Sequence, residues 1–309
     1  MMDFRSGDTG GILKRRHGFR WLGPLCLAFG IVAGAIAVPA NAQDKPVDFN
    51  LRVIQSGHSL TDPIPPMLEK MIAAQGGGMV QVARSTIPGS TMDWRWAHPT
   101  TPLPNAKTEI GKYDLLVLTE RVSLSGTTVW HKSDEEALRW TKHAWENGND
   151  GKGAETMLYA TWVEITSGPD YINPYKDVEG HIPFRERMPL EWARWEKIAA
   201  YVNENRPEGS PFVRMIPGPL LFAELYDEIE AGNVPGLTNA SELFLDDIHI
   251  NDLGAYFITL AHYAMIYNQD PRGLPANIRQ GQKPSPEMAA KMQEIVWKVL
   301  TSYPGSGVS

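Results

Sequence analysis

Short apolar runs alternate with amphipathic helical stretches from residue 51 to residue 300, and this alternation restricts the fold more than any other feature of the chain. Strand-like runs are predicted at 51–55, 79–83, 114–118, 156–165 and 213–216. Helical stretches are predicted at 64–74, 134–145, 191–203, 220–231, 252–267 and 286–300. Strands separated by helices must be joined by crossovers, which makes the sheet parallel and places helices on both of its faces. The run at Leu115, Leu116, Val117 and Leu118 is apolar without alternation, as a strand covered on both sides must be. The local signals agree. Pro63, Pro65 and Pro66 crowd a first helical turn, and Gly76-Gly77-Gly78 ends that helix. Ser133 is placed to cap the helix at 134–145. Trp192, Trp195, Ile198 and Ala199 form one stripe on the helix at 191–203, the spacing of a packed core face. The expected architecture is an α/β, three-layer α/β/α sandwich around a mostly parallel central sheet. A polar, Gly- and Pro-rich stretch at 166–188 reads as an insertion loop within one domain spanning 43–309.

The first 42 residues read as an export leader rather than as part of that domain. Lys14, Arg15, Arg16 and Arg20 precede a mostly apolar run at 22–38, and Ala40-Asn41-Ala42 ends it as a small-x-small cleavage site. A periplasmic or secreted protein without a stable membrane anchor is expected. Arg15-Arg16 hints at twin-arginine export, but the aromatic residue falls late, at Phe19, which favours the general secretory route. The chain holds 29 basic and 36 acidic residues. Removing the leader leaves 24 against 34, a net charge of −10, which disfavours nucleic acid as a partner. The one cysteine, Cys26, leaves with the leader, so the exported domain must be held by its core and not by disulfides.

Two short patterns near the ends of the domain carry chemistry. Gly57-His58-Ser59-Leu60 follows the first strand and precedes the first helix. In a parallel sheet this is the carboxyl edge, where ligands bind. Asp246-Asp247-Ile248-His249 places a carboxylate three residues before an imidazole, within reach of its Nδ1 on a tight turn. A hydrolytic serine needs a base, a carboxylate that orients the base, and donors for the developing oxyanion. Ser59 is the candidate serine, His249 the candidate base and Asp246 the candidate carboxylate.

This layout resembles the SGNH (GDSL-type) hydrolase family, with a carbohydrate-esterase-like cast. The resemblance implies a flavodoxin-like sheet, Ser59 as nucleophile, His249 as base and Asp246 as its orienter, with His58 at a position where the family varies. It spans nearly the whole exported domain. The family's second block supplies a glycine N–H to the oxyanion hole, and Ile87-Pro88-Gly89-Ser90 offers Gly89 beside the Ser59 N–H. The third block departs. The family places an asparagine donor after the third strand, whereas this chain has Thr119-Glu120-Arg121. An ionised Glu120 accepts hydrogen bonds and would repel the oxyanion. The Thr119 hydroxyl, a protonated Glu120 and Arg121 are the candidates to stand in.

Aromatic residues suggest a substrate. Trp94 and Trp96 lie just after Gly89 and would offer flat faces to sugar rings, with ordinary core packing as the equal alternative. Trp130 and Trp162 follow strands or occupy loops and are further candidates for the cleft wall, and His58 is a candidate substrate contact. No histidine spacing suggests a metal, no Gly-rich loop suggests a nucleotide, and no G-x-S-x-G elbow is present, so no cofactor or metal is expected. The reading is an exported serine esterase acting on small acyl esters, especially acetyl groups on a carbohydrate. The alternatives are a lipid or aryl esterase or lysophospholipase of the same fold, and a glycan-binding protein on a decayed hydrolase scaffold.

Overall fold

The computed structural model describes residues 49–78, 80–172, 177–278 and 281–308. The expected leader therefore lies outside the described residues, as does Met79, the expected first residue of the second strand. Five strands form the sheet: β1 (Val53–Gly57), β2 (Val82–Thr86), β3 (Leu115–Leu118), β4 (Glu155–Ala160) and β5 (Arg214–Pro217). Their order is β2-β1-β3-β4-β5 and every pairing is parallel. The order reverses between β1 and β3, where an open α/β sheet leaves a crevice at its carboxyl edge.

Alternate side chains of the strands feed two apolar layers. Val53, Val117, Tyr159 and Ile216 pack with α1 (Ile64–Ala74), α6 (Gly218–Glu230), α7 (Asp252–Tyr267) and α8 (Pro286–Ser302). Ile54, Leu116, Leu158 and Met215 pack with α2 (Met92–Ala97), α4 (Ser133–Asn147) and α5 (Phe184–Asn205), with α3 (Leu124–His131) at their edge. The molecule is thus a three-layer α/β/α sandwich. Helix α7 is apolar almost all round because it is buried from Leu253 to Tyr267. Its amino end is fixed by Asn251, whose side chain accepts from the Leu253 and Gly254 N–H groups.

Several boundaries differ from expectation for local reasons. β4 ends at Ala160, and the next five residues leave the sheet to hold the turn that carries His249. α5 starts at Phe184, earlier than expected, and contains Pro189; the Arg187 and Glu191 side chains on its first turns are buried in polar contacts. The insertion loop therefore ends at Pro183. Residues 92–97 and 124–131, where no helix was expected, form α2 and α3. Ser133 is not the cap of α4: Lys132 takes the N-cap position in a left-handed conformation, and the buried Ser133 hydroxyl stands beside Glu120.

Candidate active site

β1 ends at Gly57, where a Cβ would lie 2.1 Å from the Thr61 Oγ1, so only glycine lets the chain fold back at this point. The backbone then runs through two tight turns, with Thr61 N–H donating to the His58 carbonyl and Asp62 N–H to the Ser59 carbonyl. These turns separate Ser59 from the start of α1 and hold it half-buried at the carboxyl edge of the sheet.

The turn bearing Asp246 and His249 is closed by a bridge between Phe244 and Ile250 and by the Leu245 N–H donating to the His249 carbonyl. The loop after β4 braces it from behind. Trp162 Nε1 donates to the Ile248 carbonyl at 2.9 Å, and Ile165 N–H donates to the Asp247 carbonyl at 2.7 Å. Ser59 and His249, 190 residues apart in the chain, thereby meet, with Ser59 Oγ 2.8 Å from His249 Nε2. His249 Nδ1 lies 2.8 Å from Asp246 Oδ2. Asp246 Oδ1 accepts from the Ile248 and His249 N–H groups at 2.9 and 2.7 Å. Partial burial works to raise the Asp246 carboxyl, but those N–H donors and the imidazole together outweigh it and hold the group below the ordinary carboxylate range. A charged Asp246 fixes the proton of His249 on Nδ1 and leaves Nε2 free to accept from Ser59.

The Ser59 and Gly89 N–H groups have no hydrogen-bond partner among the described residues. Gly89 sits at φ +64° in the exposed loop after β2, a left-handed conformation natural to glycine, and it lines the same cleft as Ser59. That cleft, about 570 Å³, is bounded by His58, Pro88, Arg121, Val122, Ser123, Glu164, Asp177 and Ile248 among others. A second cleft of about 600 Å³ opens on the other side of Ser59 and His249, with Leu60, Pro63, Leu245 and Ile250 on its wall.

The other expected residues are placed differently. Glu120 is fully buried and faces away from the cleft. Its Oε1 accepts from the Met92 and Arg121 N–H groups at 3.1 and 2.7 Å. Burial raises its carboxyl, with the nearby Arg95 charge opposing. Thr119 is also buried and turns its hydroxyl toward the Glu120 carbonyl, so neither side chain reaches an oxyanion. Trp96 packs edge-on against Trp140 and lies under the Arg139 guanidinium, so its faces are taken by the protein. Trp94 is half exposed but stacks on His98 away from the cleft lining. Trp130 is exposed near the end of α3, and Trp162 is buried, bracing the His249 turn instead of lining the cleft.

His58 does line the cleft, yet its main contacts are internal. Nε2 donates to the Glu120 carbonyl at 3.0 Å, and Nδ1 accepts from the Leu60 N–H at 3.4 Å. Burial foremost, then the Arg95 charge, push its pKa down to about 3, so the ring stays neutral and pins the Ser59 loop to the loop after β3.

Two buried arginines escaped the sequence reading. Arg95 ties three strand ends together, donating to the Ser56 hydroxyl of β1, to the Ser90 carbonyl and hydroxyl after β2, and to the Thr119 carbonyl after β3. Arg187 on α5 pairs with Glu164 and Asp177, while Ser123 Oγ donates to Asp177 at 2.6 Å. Glu164 and Asp177 thus reach the cleft wall from the loop after β4 and from the insertion loop. Nothing in local sequence marks these residues, because an arginine buried among loop carbonyls has the spacing of an exposed one.

No family model matches the chain, and no curated protein matches it. Among solved structures, it resembles a DUF4886 family protein from Bacteroides uniformis ATCC 8492, with 13% identity and a TM-score of 0.58 over 84% of this chain and 97% of that one. A second structure, from Slackia heliotrinireducens, carries the provisional description of an SGNH hydrolase; it is 18% identical with a TM-score of 0.47 over 70% and 98% of the two chains. The first likeness establishes a shared fold.

Proposed function

We propose that the protein is an exported serine esterase of the SGNH type that removes small acyl groups, acetyl above all, from a hydroxyl-rich alcohol such as a carbohydrate. The observation that carries this reading is the unbroken chain from Ser59 Oγ through His249 to Asp246, with 2.8 Å at each link. Ser59 Oγ attacks the ester carbonyl while His249 Nε2 takes its proton. The oxyanion is met by the Ser59 and Gly89 N–H groups, which nothing else in the described fold uses. The tetrahedral species collapses as His249 returns the proton to the leaving alcohol, and water, activated by the same ring, then releases the acid from Ser59.

Support for a sugar-like alcohol moves from the tryptophans to the polar wall of Ser123, Glu164 and Asp177, which offers acceptors and a hydroxyl to substrate hydroxyl groups. A lipid or aryl ester is the second reading. It rests on the apolar side of the second cleft, where Leu245 is 74% exposed beside His249. Export follows from the leader. The intact relay favours catalysis over a glycan-binding role on the same scaffold.

The test is hydrolysis of 4-nitrophenyl esters of increasing acyl length and of acetylated glycans by wild type and Ser59→Ala. The expected result is a maximum at two carbons and loss of turnover in the variant. Rates that peak at eight carbons or more would transfer the assignment to lipid esters, and turnover surviving in Ser59→Ala would overturn the nucleophile.

A further inference from the structure

The cleft that holds Ser59 also holds a cation that no carboxylate pairs with among the described residues. Arg121 lines it beside Gly89 and His58, half-buried. Among the described residues its guanidinium makes no ion pair. Its side-chain contacts are two long ones, Nε to Thr127 Oγ1 at 3.5 Å and Nη2 to His131 Nε2 at 3.5 Å. The carboxylates on the same cleft do not serve it. Glu164 and Asp177 are paired with Arg187, and Asp177 also accepts from Ser123.

The guanidinium is nonetheless held in place. The Arg121 N–H donates to Glu120 Oε1 at 2.7 Å, which fixes the backbone. His131 Nδ1 lies 3.0 Å from Asp93 Oδ2, so the ring donates there and presents Nε2 as an acceptor to Arg121. Thr91 in turn donates to Asp93. A three-residue support of Thr91, Asp93 and His131 thus steers a planar cation whose Nη1 has no partner among the described residues. In a chain with a formal charge of −7, an arginine kept out of ion pairs and braced from behind is set up to meet an anion.

We infer that Arg121 is a substrate-recognition residue for a carboxylate, so that the preferred substrate is an ester that also carries an acid group, as an acylated sugar acid does. This rests on the esterase reading for its chemistry, but the anion site itself does not. The planar fork of arginine matches a carboxylate better than a single point charge would. The acid can sit on the alcohol half or on the acyl half, and the choice of probes separates these.

The experiment compares 4-acetoxybenzoate with phenyl acetate, and the 4-nitrophenyl hemiester of succinate with 4-nitrophenyl butyrate, in wild type, Arg121→Gln and Arg121→Lys. The expected result is a higher kcat/KM for the acid-bearing member of one pair. The ratio within that pair should fall about tenfold to a hundredfold in Arg121→Gln, mostly through KM, with partial recovery in Arg121→Lys. An equal fall for charged and neutral esters would instead make Arg121 an oxyanion donor and overturn the inference, as would a ratio that the substitution leaves unchanged. Calorimetric titration of Ser59→Ala with galacturonate and galactose reads the anion site without turnover. Binding of the acid but not the neutral sugar, lost in Ser59→Ala/Arg121→Gln, upholds the site even if no ester is hydrolysed. Equal or absent binding of both, together with no preference in either ester pair, removes it.

Discussion

Arg95 sits at full burial between the ends of β1, β2 and β3, and its charge shapes everything around it. Burial lowers its pKa to about 10, while Glu120 acts to raise it, so the guanidinium stays charged in the interior. A buried cation is tolerable only when its donors are satisfied and an opposite charge is near. The carbonyls of Ser90 and Thr119 meet the first need and Glu120 the second. Glu120 also accepts from the first N–H of α2, so one carboxylate neutralises Arg95 and caps a helix. Here the residue that stands where the sequence resemblance implied an asparagine donor is a scaffold residue, and its position in the sequence suggested a role that its orientation denies. Glu120→Gln keeps shape and acceptor but removes the charge. It is expected to lower stability by about 1–3 kcal/mol, read from denaturant unfolding. It should give no gain in kcat/KM, although it introduces a carboxamide, because the group points into the core. A faster enzyme of unchanged stability would place Glu120 in the oxyanion hole.

At the scale of elements, the site is made by segments that regular secondary structure leaves out. The sheet carries Ser59 to its edge, but the partner His249 is delivered by a turn whose position depends on the loop after β4. Trp162 links the two through its indole N–H while its ring packs on Phe222 at 4.7 Å between centroids. Trp162→Phe keeps an aromatic ring there and deletes one hydrogen bond. The expected effects are a stability loss of about 1–2 kcal/mol and a severalfold fall in kcat with KM little changed, since His249 loses registration with Ser59 while the cleft wall is kept. An unaltered kcat would mean that the Ile165–Asp247 bond alone fixes the turn. The same division explains what could be read from the chain. Helices α1 and α7 were legible to the residue because an apolar pattern fills them and, at α1, prolines and glycines mark the ends; the Asn251 cap of α7 was not read from the sequence. The Asp246–His249 contact was legible because its spacing is local, whereas the approach of Ser59 to His249 across 190 residues was an expectation carried by the resemblance and not by spacing. The Trp94–Trp96 segment was misread because a helix and a loop place the same residues on different sides, and local composition did not distinguish them. Arg95, Arg187 and the carboxylates they hold were illegible, since contacts such as Arg95 with Ser56 and Thr119, and Arg187 with Glu164, exist only once separate loops are brought together by the fold.

For the molecule as a whole, the histidine buried in the middle of the larger apolar layer has a global consequence. His262 lies on α7 at zero exposure, with its ring edge-on to Tyr159 at 4.5 Å between centroids and Nδ1 donating to the Ile258 carbonyl at 3.1 Å. Burial lowers its pKa from 6.5 to about 4, against a smaller upward pull from that carbonyl. The folded ring therefore stays neutral where the unfolded chain takes up a proton. Between about pH 6.5 and pH 4 the unfolded state binds more protons, so this group makes the fold less stable as pH falls through that window and contributes no such loss above it. Other groups act in the same range. His58 has the same sign, and Glu191, pushed up to about 8 mainly by its burial, has the opposite one. A single substitution isolates the His262 share because the rest are common to both proteins. His262→Leu fills much of the same space without a titrating group. Wild type and variant should differ by a constant amount from pH 7 to pH 8. The balance should then shift in favour of the variant by about 2 kcal/mol on going from pH 6.5 to pH 5, measured by urea unfolding at each pH. A difference that stays constant down to pH 5 would require the ring to be protonated in the folded core, where no carboxylate is available to receive its charge among the groups acting on it.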